Sequence, residues 1–212
     1  MKKVYFLSGL GADKRAFSVL DLSFCEPVFV DWITPLPRES LAHYATRLRQ
    51  QIPEEHPIVV GVSFGGMLAC EMAKADPLMK VIIIASNKSA NEFPYYLRLG
   101  KYFPVYRWLP DKLIKSGKSL SWVLGVKDKA QRKLLSDIVA DIDPSFLKWS
   151  IHAILHWQEK NEPGNVTHIH GTADKLLPFR YVKADYKIQG GTHLISINKP
   201  QEISSLLQKL VG

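Results

Sequence analysis

The chain has 212 residues, of which 46% are hydrophobic and 23% charged, which fits one globular domain or one core with an insertion and excludes disordered and fibrous proteins. Most of its formal net charge of +8 falls between residues 88 and 160, where thirteen Lys and Arg accompany seven Asp and Glu. A solvated helical face explains such a stretch, attraction of an anionic substrate stays open as an alternative, and no recognised module supports binding to nucleic acid.

Short apolar runs rich in β-branched residues recur along the chain, with helical patterns between them. Such runs are typical of strands that a parallel sheet buries on both faces. A helix is predicted between the second and third runs, where Ser40 can cap its start and Pro53 ends it. Further helices are predicted at 14–20, after Ser63 and from Pro200. The predicted strands are Val4–Leu7, Val28–Val30, Ile58–Val62, Val81–Ile84, Val166–His170 and a short one before His193.

The alternation of strands and helices stops after Ser86 and resumes at Val166. It predicts an α/β fold with a doubly wound, mainly parallel sheet of about six strands. The interrupting residues have the pattern of aromatic-rich helices without clear strands, and an insert at this place in such a sheet lies above the carboxyl ends of the strands, where ligands bind. We therefore predict a core of residues 1–86 and 162–212 and a helical cap of residues 87–161.

The strongest motif is the segment Gly61–Gly66, which places Ser63 between a predicted strand and a predicted helix. A Gly-x-Ser-x-Gly pattern in this context is typical of a nucleophile elbow. Its glycines allow the chain to pass close to itself on either side of a strained serine. We predict Ser63 as a nucleophile; a tight turn that merely contains serine is the alternative.

A serine hydroxyl is a weak nucleophile until a base takes its proton. Of the seven histidines in the chain, His193 stands on the turn Gly190–His193, after a short predicted strand and before the last helix. A histidine on a glycine turn at the end of a strand can reach the loop of Ser63. We predict His193 as the base; an ordinary surface histidine is the alternative.

The base needs an acidic partner that fixes its tautomer. Asp174 follows the strand at 166–170, and the resulting chain order of Ser, Asp and His is the order expected for a nucleophile elbow of this type. We predict Asp174 as the acid; an ordinary loop aspartate is the alternative. Asp111 and Asp143 have the sequence context of helix ends and are weaker candidates.

A serine that attacks a carbonyl group also needs two hydrogen-bond donors for the oxyanion that develops. We predict the backbone N–H of Phe64, directly after the nucleophile, and that of Leu10, in the glycine-flanked turn Leu7–Asp13. A dinucleotide loop is excluded there because Lys14 occupies the place of the third glycine. We therefore expect no cofactor.

Two pairs of histidines have spacings that can bind a metal ion. His152 and His156 are four residues apart on a predicted helix, but the glutamate of a zincin motif does not follow His152. His168 and His170 lie on one side of a predicted strand, and we expect His170 to brace the loop of Asp174 instead. No metal site is predicted.

Cysteine content and hydropathy indicate the environment of the protein. Cys25 and Cys70 are too few for a disulfide framework, and their spacing matches no metal motif. A reducing compartment is the simplest inference, and we expect the cytoplasm. No apolar run reaches the roughly 18 residues that cross a bilayer, so we expect no membrane association.

Together these motifs resemble the α/β-hydrolase superfamily, and in particular its short bacterial members with a helical cap. The resemblance covers residues 1–86 and 162–212. It implies a sheet that lacks the first two antiparallel strands of longer members. The chain departs from many relatives in having Ser-Gly rather than His-Gly after its first strand, and the short space between Asp174 and His193 implies that the intervening helix is reduced to a turn.

A serine at the elbow implies acyl transfer, because similar dehalogenases and epoxide hydrolases use an aspartate there. The resemblance therefore implies a serine hydrolase acting on a small-molecule acyl substrate, with a carboxylester or thioester favoured over an amide. An anionic acyl group stays open because the cap is basic. The alternatives are a carbon–carbon bond hydrolase or lyase on the same triad, and a non-catalytic ligand-binding protein.

Overall fold

The computed structural model describes residues 1–103, 124–126 and 128–212. Its strands are β1 (Lys3–Leu7), β2 (Glu26–Phe29), β3 (Ile58–Val62), β4 (Lys80–Ile84), β5 (Val166–Gly171) and β6 (Tyr186–Ile188). Within the described ranges these six strands form one sheet in the order β2-β1-β3-β4-β5-β6, and every neighbouring pair is parallel. The predicted fold class is confirmed.

Helices cover both faces of this sheet. The described α-helices are α1 (Leu41–Arg49), α2 (Phe64–Ala75), α3 (Tyr95–Gly100), α4 (Lys129–Asp141), α5 (Pro144–Leu155), α6 (Ile195–Asn198) and α7 (Pro200–Val211). The predicted cap of α1 is present, because Ser40 Oγ accepts a hydrogen bond from the backbone N–H of His43 at 3.2 Å. α1 ends earlier than predicted because the amides from Gln50 to Ile52 donate to carbonyls only three residues back.

Continuous apolar strands arise because each face of the sheet carries its own core. In β4, Val81 and Ile83 pack into the core that α1 and α2 cover, whereas Ile82 and Ile84 pack into the core beneath α7. All four side chains are fully buried. A strand buried on both faces needs apolar residues at every position, which explains why β4 shows no alternation with polar residues.

Two further elements differ from the sequence prediction. β2 begins at Glu26 rather than Val28, since it is the edge strand, where Pro27 can pair opposite Val4 although it has no N–H to donate. The helix predicted at 14–20 is a single 3-10 turn, Lys14–Phe17, because amides in this stretch donate to carbonyls three residues earlier.

The segment between β4 and β5 contacts loops that follow the carboxyl ends of the strands. A Cβ atom at Gly11, after β1, would lie 2.7 Å from the side chain of Ile142. The Phe146 ring lies 5.5 Å from that of Trp32, after β2. Ile142 and Phe146 of this segment therefore lie next to loops at the carboxyl edge of the sheet. Parts of the predicted cap lie outside the described residues, including Tyr106, Trp108, Trp122 and the basic residues Arg107, Lys112, Lys115 and Lys118.

Two features of the described residues bear on the environment of the chain. Cys25 and Cys70 are both buried and free, and burial raises the pKa of each thiol above its ordinary value. Among the helices that the structure describes, none is both long and apolar enough to cross a membrane.

Candidate active site

Ser63 stands at the sharp turn between β3 and α2, with a left-handed φ of 51° and ψ of −116°. Such a backbone conformation is costly for a residue with a Cβ atom and persists only when its surroundings enforce it. Two hydrogen bonds do so: Ser63 N–H donates to Ile84 O at 2.9 Å, and Ser86 Oγ donates to Ser63 O at 2.6 Å. The turn is thereby attached to the end of β4, the neighbouring strand.

Close backbone contacts explain the glycines on either side of Ser63. A Cβ atom at Gly61 would lie 2.5 Å from Gly65 O, and one at Gly65 would lie 2.4 Å from the carbonyl oxygens of both Leu7 and Ser8. The opposing atoms are backbone and cannot rotate away. Only a hydrogen atom fits at these two positions, so the pattern reflects packing of the turn against the end of β1.

His193 reaches Ser63 from a loop after β6. Its Nε2 lies 2.9 Å from Ser63 Oγ, and the residue is only 4% exposed. The loop is fixed against the end of β5, because Ala173 N–H donates to Gly191 O at 2.9 Å and Thr172 N–H donates to Ile188 O at 3.0 Å. The structure therefore brings together two side chains that are 130 positions apart in the sequence.

Asp174 contacts the opposite edge of the His193 ring, with its Oδ2 2.8 Å from His193 Nδ1. Its other oxygen, Oδ1, accepts from the backbone N–H groups of Leu176 and Leu177 at 2.8 and 2.9 Å. Burial opposes ionisation of this carboxyl group, but the adjacent His193 and the backbone donors outweigh burial and lower the pKa of Asp174. An ionised Asp174 holds the proton of His193 on Nδ1, which leaves Nε2 to accept from the Ser63 hydroxyl.

Two further histidines, His170 and His168, form a row of contacts that starts at Asp174. His170 Nε2 lies 2.8 Å from Leu177 O and 3.4 Å from Asp174 Oδ2, and His168 Nε2 lies 3.0 Å from His170 Nδ1. Because Leu177 O can only accept, His170 carries its proton on Nε2, and His168 donates to its Nδ1. Burial lowers the pKa of both histidines and thereby favours the neutral form of each ring. The contact with Leu177 O places His170 against the loop of Asp174.

The two residues predicted to donate to the oxyanion, Leu10 and Phe64, lie on turns next to Ser63. Phe64 is the first residue of α2, whose positive amino-terminal end favours a developing negative charge. Leu10 lies in the turn after β1, and a Cβ atom at the adjacent Gly9 would lie 3.9 Å from Ser63 Cβ. Within the part of the chain that the structure describes, neither backbone N–H donates to a protein acceptor, as the predicted role requires.

The weaker candidates have structural roles or lie elsewhere. Asp143 caps α5 by accepting from Ser145 N–H at 2.8 Å, and Asp111 lies outside the described residues. The rings of His152 and His156 are 4.0 Å apart, and His156 Nδ1 donates to the backbone carbonyl of His152. Within residues 1–103, 124–126 and 128–212, no group of three or more His, Cys, Asp or Glu side chains is arranged to hold a metal ion.

Sequence reasoning missed two side chains that contact the candidate site. Ser86 bonds to the backbone of Ser63, as described above, and its position just after β4 was an available signal. Trp32 donates its indole N–H to Ala12 O at 2.7 Å, in the turn of Leu10. Trp32 belongs to no motif, and only its place after the second predicted strand indicates that it lies at the carboxyl edge.

Comparisons with known proteins agree with the architecture described above. A sequence profile described as the alpha/beta hydrolase family matches residues 4–205. A comparison with curated protein sequences gives no match. The structure is similar to that of a malate-bound thermophilic esterase from Thermogutta terrifontis, with a TM-score of 0.74 at 10% identity over 100% of this chain and 89% of that one.

Two other solved structures show the same likeness. An esterase from Exiguobacterium antarcticum has a TM-score of 0.73 at 12% identity, over 100% of this chain and 92% of its own. An enol-lactonase from Burkholderia xenovorans LB400 has a TM-score of 0.70 at 11% identity, over 99% of this chain and 91% of its own. At these identities the structures share the fold, while the profile match over nearly the whole length establishes the family. The chain belongs to the alpha/beta hydrolase family, and it is an enzyme of the hydrolase class.

Proposed function

We propose that this hydrolase cleaves carboxylesters or thioesters through a Ser63–His193–Asp174 triad and an acyl-enzyme. The observation that carries the proposal is the continuous pair of hydrogen bonds, 2.8 Å from Asp174 to His193 and 2.9 Å from His193 to Ser63. A base that is itself oriented by a carboxylate and that reaches a serine at an elbow has the arrangement that nucleophilic acyl transfer needs.

In the first half-reaction, Ser63 Oγ attacks the acyl carbon while its proton passes to His193 Nε2. A bond forms between Oγ and carbon, and the carbonyl π electrons move to oxygen, where Leu10 and Phe64 donate their N–H groups. Collapse of this intermediate breaks the bond to the leaving group, which takes the proton from His193. Asp174 stays ionised and stabilises the imidazolium that forms between the two transfers.

In the second half-reaction, water replaces the leaving group. His193 takes a proton from the water as its oxygen attacks the acyl-enzyme, and the same two backbone donors stabilise the second oxyanion. The bond to Ser63 Oγ then breaks, and His193 returns the proton to the serine. The products are the carboxylic acid and a regenerated enzyme, with no requirement for a cofactor.

We propose a carboxylester as the preferred substrate class, with a thioester second. Both have leaving groups that depart more readily than an amine, and the names of two similar structures describe esterases. We also propose that residues 87–161 form a cap over the site. In support of this, Ile142 and Val139 belong to an apolar cluster against which Leu194 and Leu176 pack. Leu194 directly follows His193, and Leu176 is two residues after Asp174.

We further propose that the protein works in the cytoplasm. The observation in favour is that both cysteines are free and buried. Free thiols persist in compartments that glutathione and thioredoxin keep reduced.

The proposal is tested by hydrolysis of p-nitrophenyl esters and acyl thioesters of increasing chain length, including a succinyl member that carries a negative charge. Wild type, Ser63→Ala and the surface control Ser18→Ala are compared, with thermal unfolding to confirm folding. Ser63→Ala is expected to lower kcat by about 10⁴- to 10⁶-fold, and Ser18→Ala to leave it unchanged. Turnover by folded Ser63→Ala within tenfold of wild type would overturn the assignment.

The acyl-enzyme distinguishes this route from carbon–carbon bond cleavage. Acid quenching during turnover of a slow ester, followed by peptide mass spectrometry, is expected to find the acyl group on the peptide that contains Ser63. His193→Ala is expected to reduce its formation. An active enzyme in which no acylated Ser63 accumulates under single-turnover conditions would favour a mechanism without an acyl-enzyme.

A further inference from the structure

The turn that carries Leu10 is held by hydrogen bonds at its last residue, while the Leu10 side chain packs against the core. Ala12 N–H donates to Gly9 O at 2.9 Å, which closes the turn, and Gly11 adopts a φ of 66°. The N–H of Leu10, at the second position, takes no part in closing the turn. Its position therefore depends both on the packing of the Leu10 side chain and on what holds the chain at Ala12.

Two side chains donate hydrogen bonds to Ala12 O. Ser8 Oγ donates at 2.5 Å from within the same loop. Trp32 Nε1–H donates at 2.7 Å from the loop after β2, twenty residues further along the chain. Trp32 therefore connects the turn of Leu10 to a separate loop of the core.

The ring of Trp32 also contacts the residue that carries the other oxyanion donor. Its centroid lies 5.7 Å from that of Phe64, whose backbone N–H is the second proposed donor. On another side it lies 5.5 Å from Phe146 of α5. A single partly buried side chain thus contacts the Leu10 turn, the start of α2 and a helix of the inserted segment.

We propose that Trp32 is a positioning residue for oxyanion stabilisation. Its indole N–H fixes the turn of Leu10 through Ala12 O, and its ring sets the distance between that turn and Phe64. The proposal rests on the function proposed above, because it assigns Trp32 a role in that same reaction. Oxyanion donors act through preorganisation, so a small displacement of one donor lowers the rate although no group that contacts the substrate is lost.

The direct test is Trp32→Phe, which keeps an aromatic ring beside Phe64 and Phe146 but removes the indole N–H. We expect kcat for a p-nitrophenyl ester to fall about 10-fold, less than the 10²- to 10³-fold caused by deleting a donor itself. KM is expected to stay within about twofold, because the lost interaction acts in the transition state. Labelling by a fluorophosphonate is expected to slow by a similar factor, since its phosphoryl oxygen needs the same two donors.

Trp149→Phe is the matched control. Trp149 donates its own indole N–H to a backbone carbonyl, Glu39 O, at 3.1 Å, and its ring lies 6.1 Å from that of Phe64. This substitution removes the same kind of hydrogen bond from the same aromatic cluster without touching Ala12. Both substitutions remove a hydrogen bond and are expected to lower the unfolding temperature. Trp149→Phe, however, is expected to leave kcat within about twofold of wild type.

Ser8→Ala supplies a second, independent variant, because it removes the other donor to Ala12 O and leaves every aromatic ring in place. It is expected to lower kcat with KM unchanged, as Trp32→Phe does. The proposal is overturned if kcat of Trp32→Phe stays within twofold of wild type, or if Trp149→Phe loses as much. A wild-type enzyme that is neither acylated nor labelled at Ser63 would overturn the proposed function itself, whereas a labelled and active wild type with an unaffected Trp32→Phe would overturn only this inference.

Discussion

Asp174 and His193 share a hydrogen bond of 2.8 Å in which the carboxylate cannot rotate, because its second oxygen accepts from the amides of Leu176 and Leu177. Those amides fix which oxygen faces the imidazole. Ionised Asp174 accepts from His193 Nδ1–H and thereby selects the tautomer whose Nε2 can accept a proton from Ser63. The orientation of His193, the proposed base, is therefore set by backbone groups of the loop after β5.

Replacing Asp174 by Asn keeps the shape of the side chain but reverses this selection. The amide oxygen of Asn can still accept from Leu176 and Leu177, which turns its NH₂ group toward His193. His193 then accepts at Nδ1 and carries its proton on Nε2, facing Ser63. We expect kcat to fall by about 10⁴-fold, the scale for this change in a serine triad.

The matched control is Asp143→Asn at the start of α5. Asp143 also accepts a backbone N–H, that of Ser145, but it lies outside the candidate site. Since Asn caps a helix as well as Asp does, the stability and kcat of Asp143→Asn are expected to match those of wild type. Steady-state kinetics of Asp174→Asn and Asp143→Asn measure the difference. An equal loss of activity in the two variants would contradict the role proposed for Asp174.

Glu39 is expected to make stability depend on pH in the acidic range. Its side chain is fully buried and accepts from Leu36 N–H at 2.7 Å and from Arg47 Nη1 at 2.8 Å. Burial opposes its ionisation, but these donors and His43 outweigh burial and lower the pKa of Glu39 below its ordinary value of 4.5. A lowered folded-state pKa stabilises the fold above the unfolded pKa, and this stabilisation disappears as pH falls through the folded pKa.

Glu39→Gln is therefore expected to lower the free energy of unfolding at pH 7 by about 1.5–3 kcal/mol, the range for hydrogen bonds to a charged group. The difference from wild type should shrink once the pH falls below 4.5, the ordinary value. Urea unfolding at pH 7 and at pH 3.5 measures both. Glu55→Gln, which changes a carboxylate that is 90% exposed, is the control, and an equal effect of the two substitutions would contradict this account.

Gly65→Ala is expected to disrupt the elbow. The added methyl group would lie 2.4 Å from the carbonyl oxygens of Leu7 and Ser8, and backbone atoms at the end of β1 cannot move aside without breaking the sheet. We expect a loss of stability of about 3 kcal/mol or more, together with loss of activity in any folded fraction. Thermal unfolding and ester hydrolysis check both effects.

Gly164→Ala is its matched control, because nothing lies within 4 Å of a Cβ atom at Gly164. Its unfolding free energy is expected to stay within about 0.5 kcal/mol of wild type, as for surface substitutions in general. Comparable stability of the two alanine variants would show that the close contact at Gly65 does not constrain the sequence.

The sequence predicts those parts of the fold that restrict residue type in a recognisable pattern. The apolar runs at β3 and β4 indicate strands because both faces of the sheet are covered, and the glycines around Ser63 follow from close backbone contacts within the turn and with the end of β1. The triad candidates could be found because each follows a strand, and parallel strands bring their carboxyl ends to one edge. Boundaries were less accurate at α1, where 3-10 hydrogen bonds end the helix before the apolar pattern does.

Trp32 shows what could not be found in the same way. Its hydrogen bond to Ala12 O joins two loops with no periodic pattern, so neither partner is marked in the sequence. The contact exists because β1 and β2 are neighbours in the sheet and present their following loops side by side. The assignment of Oδ1 and Oδ2 of Asp174 to different partners likewise depends on the path of the loop from Lys175 to Leu177.

The most direct test of the central claim is labelling of the folded protein with a fluorophosphonate, followed by peptide mass mapping. Ser63 Oγ forms a bond to phosphorus as fluoride leaves, and His193 takes the hydroxyl proton. We predict a single modified peptide that contains Ser63, no labelling in Ser63→Ala, and much slower labelling in His193→Ala. Absence of labelling in folded wild type, or labelling at another serine with Ser63 untouched, would contradict the proposal that Ser63 is an activated nucleophile.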